Sequence, residues 1–270
     1  MARSPRRRER SQAARLIRAF LCIGAGLVAG VSLYVGLIQA GVLPFPFGPS
    51  VHGDIGLARS ERAGMRVLFI GNSLTYYNSM PALVDQLAAD DAGAPPVFAV
   101  WYTAPGWTLR RAAANEDLTD LLADVRWDAV VLQERSDLAS SSVDRRRQET
   151  DPHVRDLQSR SAAGGARTVL FMTWPYRGES DLAAVLGLPI APVAPAWNEA
   201  QTRRPGIDLL ASDRRHPNLA ASYLAACVFY AILTGRDPAA SSFTAGLQQS
   251  EARFLQHLAF ETVTTPSRWS

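Results

Sequence analysis

The chain has 270 residues, 47% hydrophobic and 20% charged, with 19 Gly, 17 Pro and 2 Cys. This bounds it to about one or two domains and excludes disordered, collagen-like and disulfide-scaffold classes. All 28 basic side chains are Arg, which excludes a P-loop phosphate lysine, a pyridoxal Schiff base and a lysine nucleophile.

Seven of the Arg lie in residues 1–18 against the single Glu9, and the rest of the chain carries 21 Arg against 24 acids, a net of −3. The basic character therefore belongs to a tail, and no groove for a nucleic-acid backbone is implied. Residues 19–43 follow as an uncharged, mostly apolar run. As a helix at about 1.5 Å per residue they reach roughly 37 Å, enough for a ~30 Å hydrocarbon core, and Pro44 and Pro46 end the run. The expectation is an uncleaved, single-pass signal-anchor helix, its N-terminus cytoplasmic by the positive-inside rule and the remainder extracytoplasmic. A cleaved signal peptide is the alternative, but its apolar core is ordinarily shorter. Cys22 lies within this run and Cys227 in a distant apolar stretch, so no disulfide is expected.

Residues 44–64, rich in Pro, Gly and polar side chains, read as a linker to a domain over 65–265. In that domain five short apolar runs have strand length: Arg66–Ile70, Val97–Tyr102, Ala129–Gln133, Thr168–Thr173 and Ile190–Ala194, the last weakened by Pro192. Their continuous apolarity suits parallel strands covered on both faces. Met80–Asp91 and Glu116–Val125 show helical spacing of Leu and Val between them. The alternation predicts right-handed βαβ units, an α/β three-layer sandwich with a five-stranded parallel sheet, preceded by one transmembrane helix. Sites in such sheets form at the carboxyl ends of the strands. The run Arg145–Arg147, beside Asp144 and Glu149, reads as a solvated helix face.

Directly after the first predicted strand stands Gly71-Asn72-Ser73-Leu74-Thr75, a strand-to-helix turn. Ser73 there is either an N-cap or a nucleophile on a tight turn beside backbone N–H groups that can hold an oxyanion. Asp213-Arg214-Arg215-His216-Pro217 precedes a helix starting near Asn218. It reads either as a capping cluster or as a general base with an Asp three residues away that fixes its tautomer. Of the other histidines, His52 sits in the linker, His153 reads as a surface residue and His257 as a packing residue. No spacing of His and Cys suits a metal. Trp101, Tyr102, Trp107, Trp174, Tyr176 and Trp197 fall near predicted strand ends, where they either face a sugar ring or pack.

These two motifs, in the order Ser…Asp…His within one α/β domain, resemble the SGNH/GDSL hydrolase superfamily. Within it the chain resembles a bacterial, membrane-anchored branch whose first block reads like FIGNSLTYYNSMP and whose last is DxxHP followed by Ala221-Ser-Tyr-Leu-Ala-Ala. The resemblance covers about Met65 to Pro238 and implies a flavodoxin-like sandwich. It implies Ser73 as nucleophile, His216 as base, Asp213 as its orienting partner, and the backbone N–H groups of Ser73 and Gly106 as oxyanion donors. The third block, usually Gly-x-Asn-Asp, departs from the pattern as Leu132-Gln133-Glu134-Arg135-Ser136, and Gln133 is the expected substitute donor, with Arg135 as the lesser alternative.

The implied activity is hydrolysis of an acyl ester, with an O-acetylated extracytoplasmic glycan as first substrate class and a lipid ester as second. No cofactor, metal or nucleic acid is expected, and the oligomeric state is left open. An O-acyltransferase on a cell-envelope polysaccharide and a degenerate, membrane-tethered binding domain are the rival readings.

Overall fold

A computed structural model describes residues 48–174 and 186–265. The predicted transmembrane helix, residues 19–43, lies outside the described residues. Among those described, no helix is long and apolar enough to cross a membrane.

The centre of the fold is a six-stranded sheet, not the five-stranded parallel sheet expected. In chain order its strands are β1 (Ser50–His52), β2 (Met65–Gly71), β3 (Val97–Thr103), β4 (Ala129–Leu132), β5 (Arg167–Phe171) and β6 (Ile190–Ala191). They lie in the order β1-β3-β2-β4-β5-β6. The last five are parallel, and β1 pairs antiparallel with β3, Val51 opposite Tyr102. The extra strand comes from the segment read as a linker, and the compact unit begins at Pro49 rather than residue 65. Its three residues are all exposed, so no apolar alternation marked them. What holds them is backbone pairing and the stacking of His52 on Trp101, centroids 5.7 Å apart. Gly53 then lets the chain turn at φ +87°, where a Cβ would lie 2.4 Å from Ala99 O. At the other edge, β6 stops after two residues because Pro192 has no N–H to donate, and Val193 opens a helix.

In β2 the side chains alternate between two buried faces. Val67 and Phe69 join one apolar cluster, Leu68 and Ile70 the other. Helices α4 (Leu109–Ala113), α5 (Glu116–Asp124) and α8 (Asp151–Ala163) cover the second face. The first is covered by α3 (Met80–Asp90), α9 (Val193–Arg203), α10 (Leu219–Thr234) and α11 (Gln249–Thr264). Helix α10, LAASYLAACVFYAILT, is apolar around its whole circumference and almost wholly buried, as a helix with no polar stripe must be. Phe229 on it meets the rings of Phe69 and Phe171 edge-on at 5.2 and 4.9 Å. Asn218 caps its start by accepting from Ala221 N–H, and Gly235 ends it in the left-handed conformation, φ +71°.

The far ends of α3 and α10 are joined by one buried carboxylate. Asp91 accepts a bidentate pair from Arg236 (2.7 and 2.9 Å), the Tyr230 hydroxyl (2.5 Å) and Gly93 N–H (2.9 Å). The Arg236 hydrogen bonds, outweighing desolvation, hold its carboxyl down to about 2. Asp91→Ala removes the acceptor and leaves a buried hydroxyl unpaired. The expected loss is about 1.5–3 kcal/mol, read as a fall of about 3–12 °C in melting temperature. Because the folded carboxyl titrates below the unfolded one, the advantage of wild type over Asp91→Asn is full above about pH 4 and fades as pH falls toward 2.

Candidate active site

β2 ends at Gly71 and the chain passes at once into α2 (Ser73–Tyr76). Asn72, not Ser73, is the cap: its side-chain oxygen accepts Leu74 N–H and its carbonyl accepts Thr75 N–H. Ser73 is thus the first helical residue, partly exposed, with its hydroxyl released from capping. Its backbone N–H, like any at a first helical turn, has no partner within the helix. The turn leaves no room beneath it, since a Cβ on Gly71 would lie 2.6 Å from both Gln133 Oε1 and Thr75 Oγ1.

The second motif forms a closed loop ahead of α10. Ala211 N–H donates to His216 O (2.8 Å), Asn218 N–H donates to Leu209 O (3.1 Å), and Arg214 takes φ +55° at the bend. Asp213 Oδ1 accepts the backbone N–H groups of Arg215 and His216, both at 3.0 Å, while Oδ2 lies 2.6 Å from His216 Nδ1. The contact with His216, then these backbone donors, holds the Asp213 carboxyl well below the usual carboxylate range. A carboxylate at Nδ1 requires Nδ1–H, which leaves Nε2 as the acceptor. Nε2 lies 2.9 Å from Ser73 Oγ. The three side chains therefore form one continuous hydrogen-bonded row, Ser73 Oγ–H to Nε2 and Nδ1–H to Asp213.

Gly106 lies on the loop after β3, exposed and at φ +63°. Its N–H has no hydrogen-bond partner among the described residues. The loop is tied to the serine turn by Asn72, whose Nδ2 donates to Trp107 O (2.9 Å). Gln133 stands differently from the expected donor. It is wholly buried; Oε1 accepts Asn72 N–H (2.8 Å) and Thr75 Oγ1–H (3.0 Å), and Nε2 donates to Glu134 O. It props the turn from below and is shielded from any bound molecule.

Of the aromatics considered for a sugar platform, Trp101, Tyr102, Trp107, Trp174 and Trp197 are all buried. Tyr176 lies outside the described residues. Trp174 and Trp197 stack on each other at 4.2 Å. His52 and His257 are exposed and His153 is half-buried, the last with its pKa lowered by burial and by Arg110; none has a contact with Ser73. Among the described residues no cluster of His, Cys, Asp and Glu can hold a metal ion, and Cys227 is buried and free.

Three residues of the site escaped the sequence reading. Asn72 is signalled by Asn preceding a short helical stretch. Glu134, beside Gln133 and 5% exposed, joins two loops by accepting Leu109 N–H (3.2 Å) and Arg135 N–H (2.7 Å), and reaches Thr150 Oγ1 (3.2 Å). Nothing local marks it as buried. Tyr77 lies flat on His216, as described below.

No family model matches the chain, and no curated protein matches it. Solved structures do. A protein of Slackia heliotrinireducens, provisionally described as an SGNH hydrolase, is 27% identical over 63% of this chain and 99% of its own, with a TM-score of 0.52. A DUF4886 family protein of Bacteroides uniformis is 18% identical over 75% of this chain and 96% of its own, with a TM-score of 0.62; it shares the fold. The first of these likenesses supports an SGNH/GDSL hydrolase superfamily for this chain. At its third block a buried Gln133–Glu134 pair binds the loops together.

Burial, outweighing the N–H donors of Arg135 and Leu109, pushes the Glu134 carboxyl up to about 7. The folded protein keeps this proton where the unfolded chain has released it. The resulting stabilisation is full below about pH 4.5 and is lost as pH rises to about 7. Glu134→Gln, whose amide oxygen can still accept both N–H groups, flattens this decline when melting temperature is followed from pH 4.5 to 8. Asp85, which burial also pushes up to about 7, adds a decline of its own in this window, opposed by His153, whose pKa burial lowers. Gly71→Ala overpacks the serine turn and costs about 1–3 kcal/mol in denaturant unfolding.

Proposed function

We propose that this protein is a serine-dependent carboxylic-ester hydrolase. The observation that carries the reading is the row itself: Ser73 Oγ 2.9 Å from His216 Nε2, and His216 Nδ1 2.6 Å from Asp213 Oδ2. These are the separations that general-base activation of a hydroxyl needs.

In this reading Ser73 Oγ attacks the ester carbonyl carbon while its proton passes to Nε2. Charge on the carbonyl oxygen is held by the N–H groups of Ser73 and Gly106. Asp213 stabilises the imidazolium and keeps Nε2 facing the serine. Collapse of the tetrahedral intermediate breaks the ester C–O bond, and the alcohol leaves with the proton from Nε2. Water, deprotonated by His216, then cleaves the acyl-serine. Gln133 takes no part in holding charge, because its amide is committed below the turn. The substrate is an acyl ester reached from the open side of Gly106, around which a Cβ would meet nothing within 4 Å. The aromatics lend the glycan preference no support, since the five described are packed in the fold; its other ground, the predicted membrane anchor, lies outside the described residues.

Full-length protein is expected to hydrolyse short-chain p-nitrophenyl esters and to take a fluorophosphonate label at Ser73. Ser73→Ala and His216→Ala each lower kcat by about 10⁴- to 10⁶-fold and abolish labelling. Asp213→Asn lowers it by about 10²- to 10⁴-fold. Undiminished hydrolysis by Ser73→Ala sinks the assignment.

A further inference from the structure

The row of three leaves the faces of the His216 ring unused, since both of its hydrogen bonds lie at the ring edge. One face is covered. The ring of Tyr77 lies 4.1 Å from that of His216 with only 4° between their planes. We propose that Tyr77 is a positioning residue for the base, its ring fixing the plane of His216 and stabilising the imidazolium formed when the Ser73 proton arrives; this rests on the esterase reading above.

The local sequence makes the placement possible. Tyr77 N–H donates to Ser73 O and ends α2, so the ring stands one turn beyond the serine, on the same side of the short helix. The following two residues are both left-handed without being glycine, Asn78 at φ +51° and Ser79 at φ +51°. Such backbone costs roughly 1 kcal/mol or more per residue, and here it turns the Asn78 amide toward the base loop. Asn78 Nδ2 donates to Pro217 O (3.1 Å) and to Ser222 Oγ (2.9 Å), and Ser222 Oγ–H in turn donates to Tyr77 O (3.3 Å). The segment after the nucleophile is thereby strapped to the residue following the base and to the first turns of α10.

The need for such a strap follows from exposure. The Asp213 side chain is 45% exposed and that of His216 21%, so water competes for the hydrogen bond that orients the ring. A stack on the ring face is not open to that competition. It also discriminates between protonation states, because an aromatic face attracts a cation more than a neutral ring. The Tyr77 hydroxyl makes no hydrogen bond among the described residues, so the ring alone carries the role.

The test compares full-length wild type with Tyr77→Phe, Tyr77→Leu and Tyr77→Met, the last preserving volume without a ring. Loss of cation stabilisation alone is about two- to fivefold, and misplacement of a catalytic group adds up to about 10²-fold. The expected result is a fall in kcat/KM of about 5- to 100-fold in Leu and Met, carried by kcat with KM within about twofold. Tyr77→Phe is expected to stay near wild type. In proton NMR, the imidazole C–H resonances of His216 are expected upfield in wild type and Phe, and to move downfield in Leu and Met. Unchanged turnover in both ringless variants, unchanged resonances, or a Phe variant as impaired as Leu overturns the proposal. Absence of hydrolysis in wild type, or its survival in Ser73→Ala, instead overturns the esterase reading, and the resonance comparison then decides the stack by itself.

Discussion

The Ser73–His216 hydrogen bond joins residues 143 apart in sequence, and the fold has to supply what the bond cannot. Closing a loop of that length costs about 4 kcal/mol in chain entropy, against a net gain of about 0.5–1.5 kcal/mol for the bond. The contact exists because helix α10 is buried for other reasons. Phe229, gripped between Phe69 on β2 and Phe171 on β5, is worth roughly 1.5–3 kcal/mol by burial alone. It ties the helix that follows His216 to the strand that precedes Ser73. The hydrogen-bonded row at the surface thus inherits its geometry from an apolar helix that has no face to spare for solvent.

Between that core and the surface lies a thin polar layer with its own logic. Asn72, Thr75, Gln133 and Glu134 are all buried, and their side chains are engaged with one another or with backbone groups of the serine turn and its two neighbouring loops. Satisfied networks of this kind rigidify, whereas a missing member leaves a costly unpaired group. The residues at the third block therefore act as a foundation for the turn. Among the described residues the backbone N–H groups of Ser73 and Gly106 make no hydrogen bond, because side chains, not those groups, secure the loops.

Much of this was legible in the sequence. Strands covered on both faces announce themselves as continuous apolar runs, and β2 to β5 fall within a residue or two of the runs that predict them. Turn residues of restricted chemistry, Gly71-Asn72-Ser73 and Asp213-x-x-His216, mark the ends of the row. Edges are harder: β1 has three exposed residues and depends on its partner strand, and the Ile190–Ala194 run splits at Pro192 into a two-residue strand and a helix. The reading of Gln133 as an oxyanion donor failed because residue type reports donors and acceptors but not direction. An amide at the end of a central strand can face the substrate or the turn beneath it, and only the packing of Gly71 against it decides. Trp101, Trp107 and Trp174 stay open between a sugar face and packing in the sequence for a similar reason, since proximity to a strand end does not distinguish a rim from a core.

A half-exposed Asp213 and a partly exposed His216 pose a problem that the buried polar layer cannot solve, because the Asp213 loop lies outside it. Its carboxylate is organised by two N–H groups of its own loop, which fix it relative to His216 but not relative to the serine. Fixing the loop to the turn takes contacts that cross between them. Apart from the Ser73–His216 bond, the described ones come from the segment immediately after α2: the Tyr77 stack and the Asn78 amide. Two left-handed residues oppose this arrangement by a few kcal/mol at most, and two amide hydrogen bonds, a hydroxyl bond and a ring stack of about 0.5–1.5 kcal/mol are of the size needed to offset it. Strain and clamp coincide at one short stretch of chain because that stretch follows Ser73 closely enough in sequence to move with it.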